Sequence, residues 1–215
     1  RLPFTDWDAR PELREAAELR FEEVYIREFR GVPQVNLSAY TTVTPLGRSV
    51  EVDTEAQRLP IAEAVGTGGV FDVEVVGNVL EVRDGSGLIE RCPDCGRVLQ
   101  NGQCRAHGDV DGEDDMRVKA IVDDGTGTVT AMLDRDITES VYGGTMEEAM
   151  TAARDAMDKE VVADEIRERI VGREYRVRGN LSVDDYGANL EATAFERTGD
   201  EPAALATALL TEVRG

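Results

Sequence analysis

All three cysteines and the only histidine of this 215-residue chain fall within one stretch, RCPDCGRVLQNGQCRAHG, residues 91–108. Cys92 and Cys95 form a CxxC pair, Cys104 and His107 form a CxxH pair, and eight residues separate the two. Three thiolates and an imidazole suit tetrahedral Zn²⁺ with no open coordination position, which is the pattern of a structural site rather than a catalytic one. A glycine follows each pair, Gly96 and Gly108. Each can turn the chain tightly and bring backbone N–H groups toward a metal-bound thiolate. A redox dithiol would leave Cys104 and His107 idle, and no βαβ pattern surrounds the CxxC. A Cys/His nucleophile pair would need an orienting group that the sequence does not identify. The expectation is one structural zinc per chain, held by Cys92, Cys95, Cys104 and His107.

Around this stretch the chain reads as mainly β with helices. GVFDVEVVGNVLEVR (69–83), MRVKAIV (116–122), GTVTAML (127–133), REYRVRGNLSV (173–183) and ANLEATAFER (188–197) combine β-branched or aromatic residues with near-alternation. DDGTG (123–127) is a hairpin turn between the second and third runs. Between the third and fourth lies TMEEAMTAARDAMDKEVVADEIRERIVG (145–172), opened by a capping box of Thr145 and Glu148. Met146, Met150, Ala153, Met157, Ile166 and Ile170 keep helical spacing and are expected to pack on the strands, as one long helix or two short ones. Five strands with a helix between the third and fourth is the order of an OB-fold barrel, with the Cys/His stretch inserted between the first and second strands.

A faint internal repeat extends the pattern. FTDWDARPEL (4–13) resembles TAMLDRDITE (130–139), pairing Trp7 with Leu133 and Asp8 with Asp134, and GVPQVNLSAY (31–40) resembles DYGANLEATAF (185–195), pairing Asn36 with Asn189 and Leu37 with Leu190. Residues 1–46 therefore read as the last three strands of a preceding OB domain, so that the chain is expected to begin inside a domain. Residues 47–66 read as a linker and 67–199 as the zinc-containing barrel. DEPAALATALLTEVRG (200–215) reads as a C-terminal amphipathic helix with Asp200 as N-cap and Pro202 in the first turn.

The formal net charge is −20, and of 24 basic residues only Lys119 and Lys159 are lysines. A carboxylate-rich, lysine-poor surface is similar to that of proteins from salt-loving microbes. At about 1 M salt the screening length falls to about 3 Å, so overall acidity barely opposes a close contact made by a few placed arginines. No apolar run reaches membrane-spanning length and no signal-peptide pattern opens the chain, so a cytoplasmic location is expected.

With its CxxC…CxxH insertion after the first strand of an OB barrel, the chain resembles archaeal replication protein A of the haloarchaeal type. The resemblance is carried by GLIERCPDCGRVLQNGQCRAHG (87–108), DDMRVKAIVDDGTGTVTAMLDRDITE (114–139) and EEVYIREFRGVPQVNLSAY (22–40). It implies a nucleoid-associated protein that coats single-stranded DNA in replication, repair and recombination without catalysing a reaction. It further implies partner replication and repair proteins, or further subunits, reached through the C-terminal helix. The family places a stacking side chain near the end of the third strand, which falls on Trp7 in the first domain and on Leu133 in the second. It also uses the loop between the fourth and fifth strands, which holds Phe29 and Arg30 in the first domain and Tyr186 in the second.

Alternation along MRVKAIV puts Met116, Val118 and Ala120 toward the core and leaves Arg117 and Lys119 on the outer, ligand-binding face of the second strand. Arg176 and Arg178 alternate in the same way on a strand farther from the groove. Arg91, Arg97 and Arg105 make the zinc stretch locally less acidic than its surroundings. Two other classes share these features: an RNA-binding OB/zinc-ribbon factor of translation or transcription, and a protein-assembly module. An enzyme is not expected, because the histidine is spent on zinc and no phosphate-cradling Gly-rich loop precedes a helix.

Overall fold

The computed structural model describes residues 2–8, 10–14, 18–29, 31–48, 55–198 and 210–211. The helix expected over 200–215 lies outside them except for Leu210 and Thr211, which are helical. Among the described residues no helix is long and apolar enough to cross a membrane.

The N-terminal unit comprises β1 (Phe4–Asp6), a 3₁₀ turn (Pro11–Arg14), β2 (Leu19–Glu22), β3 (Tyr25–Phe29), β4 (Val32–Leu37) and β5 (Thr42–Pro45). β1 runs parallel to β4, and β3 pairs antiparallel with β4 on its other side. β2 and β5 continue that hairpin beyond an interruption.

The second unit opens with β6 (Gln57–Arg58) and α1 (Ile61–Gly66), then β7 (Gly69–Val82) and β8 (Gly87–Arg91). After the Cys/His insertion, which carries β9 (Gln103–Cys104) and β10 (Gly108–Asp109), come β11 (Glu113–Asp123) and β12 (Thr128–Leu133). Three helices follow, α2 (Arg135–Tyr142), α3 (Met146–Ala156) and α4 (Glu160–Ile170), and then β13 (Glu174–Asp184) and β14 (Gly187–Arg197). β7 pairs with β11, β11 with β12, β12 with β14 in parallel, β14 with β13, and β13 with β7. The ring closes, which removes open edges and makes a five-stranded barrel of OB topology with its Cys/His insertion between the first and second strands.

Alternating residues fill the interior: Val73, Val75 and Val79 from β7, Val118 and Val122 from β11, Ala131 and Leu133 from β12, Val177 and Leu181 from β13, Leu190 from β14. The long inter-strand segment breaks into separate helices. α2 is capped by the Asp134 side chain, which accepts from Ile137 N–H, and α3 carries the expected capping box of Thr145 and Glu148. Ala153, Ile166 and Ile170 are buried as the helical spacing requires. Met157 is not: it occupies the left-handed C-cap of α3 at φ 54° and is 92 % exposed.

The repeat corresponds to repeated topology. The parallel β1–β4 and antiparallel β3–β4 pairs reproduce β12–β14 and β13–β14, so residues before 47 form part of a second OB arrangement. Register differs by one residue, since Phe4 pairs with Val35 whereas the aligned Thr130 pairs with Asn189. The segment 47–66, expected as a linker, ends in structure that belongs to the barrel. β6 pairs with β7, and α1 buries Ile61 and Ala64 in the barrel core. The turn between β11 and β12 holds this helix, with Ile61 N–H donating to Asp124 Oδ2 at 2.8 Å and Ala62 N–H to Thr126 Oγ1 at 3.1 Å.

Candidate metal centre and nucleic-acid interface

The insertion places Cys92, Cys95, Cys104 and His107 with all four ligand atoms within 4.8 Å of one another. Cys95 Sγ and Cys104 Sγ are 3.6 Å apart, and His107 Nδ1 lies 3.4 Å from Cys92 Sγ and 3.7 Å from Cys104 Sγ. Zn–S bonds of about 2.3 Å and Zn–N bonds of about 2.0–2.1 Å, set at tetrahedral angles, require about 3.8 Å between sulfurs and about 3.6 Å between sulfur and nitrogen. The observed spacings fit, whereas a disulfide needs about 2.05 Å, and the three cysteines are free thiols. The donor set can hold a tetrahedral metal ion of the zinc type.

Local backbone explains how the ligands converge. Gly96 and Gly108 adopt φ of 68° and 74°, the left-handed turns that close each pair. Backbone N–H groups do approach the sulfurs, but they come from residues between and at the ligands rather than from the glycines. Ala106 and His107 donate to Cys104 and, outweighing burial, hold its thiol down to about 6. Burial pushes the Cys92 thiol up, against the N–H groups of Asp94 and Cys95. Among the described hydrophobic residues, Leu99, with Val110 beside it, packs on the buried Cys92 and Cys104.

The knuckle is tied to the barrel through Asp115. Arg91 donates through Nη1 to Gly96 O at 3.0 Å and through Nε to the Asp115 carboxylate. Arg135 of α2 donates through Nε to the other Asp115 oxygen at 2.7 Å and through Nη2 to Asp114 O at 2.9 Å. Arg91 is therefore engaged as a clamp. Arg97 and Arg105 instead line a cavity of about 720 Å³ on the knuckle, with Gln100, Asn101 and Gln103 between them.

On β11 the outward residues are Arg117 and Lys119, half-buried, while Met116, Val118 and Ala120 are buried. Arg117 Nε donates to Gly85 O at 2.9 Å and Lys119 Nζ to Asp84 O at 3.1 Å, so both reach over the turn joining β7 to β8. Burial pulls the Lys119 ammonium below its usual value, and the like charges of Arg117 and Arg83 add to this. Arg117 is lowered likewise, by burial first and then by Arg91. These cations gather although they repel one another. Arg83 was not singled out by the sequence, because it meets Lys119 only through the β7–β11 pairing, in which its N–H donates to Lys119 O.

Elsewhere arginines meet carboxylates. Arg176 lies 3.5 Å from Glu74 and 3.8 Å from Glu196, and Arg178 grips Asp72 through Nε at 2.6 Å and Nη2 at 2.9 Å. Tyr186, 96 % exposed, stands at the tip of the β13–β14 hairpin. Phe29, 59 % exposed, ends β3 at the equivalent hairpin of the first unit. Arg30 lies outside the described residues. Trp7 is 70 % exposed just past β1, whereas its counterpart Leu133 is 1 % exposed and belongs to the barrel core. Trp7 and Phe29 are not brought together. They flank opposite ends of β4, where Asp6 pairs with Leu37 and Phe29 with Val32, about 16 Å apart at 3.3 Å per residue.

No protein-family model matches the chain, and no curated protein matches it. Among the solved structures that resemble it are two at low identity. One is a replication protein A heterotrimer bound to ssDNA, with a TM-score of 0.47, 12 % identity, and coverage of 91 % of this chain and 54 % of that one. The other is yeast RPA bound to ssDNA, with a TM-score of 0.47, 16 % identity, and coverage of 75 % of this chain and 98 % of that one. The chain thus spans about half the length of the first.

Proposed function

We propose that this chain is a single-stranded DNA-binding protein of the replication protein A kind, which coats exposed strands during replication, repair and recombination. The observation that carries this reading is the cluster of Arg83, Arg117 and Lys119 on the outer face of β7 and β11, gathered in a chain of net charge −20. Arg117 and Lys119 lie on the second strand of the barrel, whose face with the third is where OB folds bind oligonucleotides, and Arg83 joins them from the end of the first. The cations hold phosphates, and Tyr186, with Trp7 and Phe29 of the first unit, meets bases, a role the sequence also assigns to Arg30. Stacking on aromatic faces does not depend on counterion release, so it suits binding at high salt. One zinc per chain, held by Cys92, Cys95, Cys104 and His107, keeps the knuckle folded at the mouth of the barrel. The C-terminal segment serves assembly with further subunits or repair proteins, and the protein works in the cytoplasm on the nucleoid.

Competition at high KCl among labelled oligo-dT, duplex DNA and RNA of equal length tests this. The expected order is single-stranded DNA first, with duplex at least tenfold weaker. Preference for RNA would move the function to the translation or transcription class, since only an RNA reader gains from the 2′-hydroxyl. Absence of binding to all three would leave an assembly module.

A further inference from the structure

Lys119, Met132, Glu191 and Asn180 stand opposite one another in register across β11, β12, β14 and β13. None is buried, so they form an outward row crossing four strands, about 14 Å long at about 4.8 Å per strand. The row starts in the cation cluster. It ends at a cavity of about 200 Å³ between the barrel and the N-terminal unit, lined by Phe29, Gln34, Phe71, Asn180, Ser182 and Glu191.

A β-bulge aims Phe71 into this cavity. Leu181 pairs with Val70 and Gly179 with Val73, so Phe71 and Asp72 together oppose Asn180 alone. Asp72 takes the left-handed conformation at φ 57°, donates its N–H to Asn180 Oδ1 at 3.1 Å, and has its carboxylate gripped by Arg178. An extra residue of this kind redirects the side chain beside it. A non-glycine residue persists at positive φ only where its surroundings impose it. Arg178 and Asn180 impose it here. Phe71 consequently stands outside the barrel core, which resumes at Val73. Across the cavity, the Phe29 hairpin is pressed against the barrel entrance, since a Cβ on Gly31 would fall 1.8 Å from Gly68 O.

We propose that this cavity takes one nucleobase, between the rings of Phe29 and Phe71, from the strand whose phosphates lie on Arg83, Arg117 and Lys119. This rests on the single-strand-binding reading and deepens it. The volume lies below the roughly 300–1,000 Å³ of sites for drug-sized ligands, so it suits a single ring system. Gln34, Asn180 and Ser182 supply the amide and hydroxyl groups that base edges bond. The two units then share one strand, with the backbone anchored on one and a base held between both.

An abasic scan tests this on the full zinc-loaded chain. An oligo-dT carrying one abasic position, moved along its length, is titrated against wild type, Phe71→Leu and Phe29→Ala. In wild type one position is expected to weaken binding about 5- to 150-fold, the range of one stacked base. In either variant the intact oligonucleotide is expected to bind weaker by a similar factor, and the penalty at that position to vanish. Phe29→Ala, at an exposed hairpin tip, keeps the test open if Phe71→Leu disturbs the bulge. Binding of intact oligo-dT with no sensitive position, or with a sensitive position unchanged in both variants, overturns the base pocket alone. No binding of intact oligo-dT by wild type overturns the single-strand reading, and the pocket with it.

Discussion

Asp115 has a side chain only 10 % exposed, and it receives Arg91 from the knuckle and Arg135 from α2. Burial alone would raise its pKa, but the hydrogen bonds from both arginines and from Met116 N–H outweigh burial and hold the carboxyl below its ordinary value of 3.8. A carboxyl depressed in the folded state contributes stability that is fully present above the unfolded value and lost as pH falls through the folded one. Asp115→Asn is therefore expected to cost about 1–3 kcal/mol at neutral pH, with the gap to wild type closing below about pH 3.9. Urea melts at pH 7 and at acid pH check this, and a gap independent of pH would refute it. The alternation that correctly turned Met116, Val118 and Ala120 inward would turn Asp115 outward with Arg117 and Lys119. It is buried instead because arginines 24 and 20 positions away close over it, a contact that local period cannot contain. The cluster of Cys92, Cys95, Cys104 and His107 that could hold a metal was legible for the opposite reason, since its geometry is set within sixteen residues.

The knuckle and the barrel differ in what holds them. The barrel has a continuous core of Val, Ile, Leu and Ala from five strands, α1 and the three helices, whereas among the described residues the knuckle's hydrophobic cluster adds just Leu99 and Val110 to its buried cysteines. An element with so little apolar surface would depend on a metal held by its four ligands, whose binding free energy would then be folding free energy. Chelation is expected to abolish amide-exchange protection across 92–110 while β7, β11 and β13 stay protected. Barrel strands losing protection together with the knuckle would show a single cooperative unit instead. Five strands, the insertion and the capping box were readable from alternation, turn residues and caps. α1 was read as linker because six residues give too little helical period to register. The Phe71 bulge was illegible because it exists only in the register with β13, where two residues face one.

The whole chain combines a net charge of −20 with arginines such as Arg176 and Arg178 paired to carboxylates and a small self-repelling cation cluster. The likeness between the two units carries through strand order to a second hairpin tip, so Phe29 and Tyr186 occupy corresponding places although the surrounding sequences differ. The relation between the units was visible in the repeat, but the cavity between them was not, since it needs residues from five separated stretches, at 3, 29–34, 71, 180–182 and 191. The most direct test of the account is an anisotropy titration of zinc-loaded protein with labelled oligo-dT over a range of KCl, beside a variant carrying Arg83→Ala, Arg117→Ala and Lys119→Ala. The variant is expected to melt like wild type and to bind more weakly. The slope of log affinity against log salt should become shallower by about 2, at about 0.7 per lost single-strand phosphate contact. Equal affinity and equal slope for the two proteins would contradict the assignment of this face to the phosphate backbone.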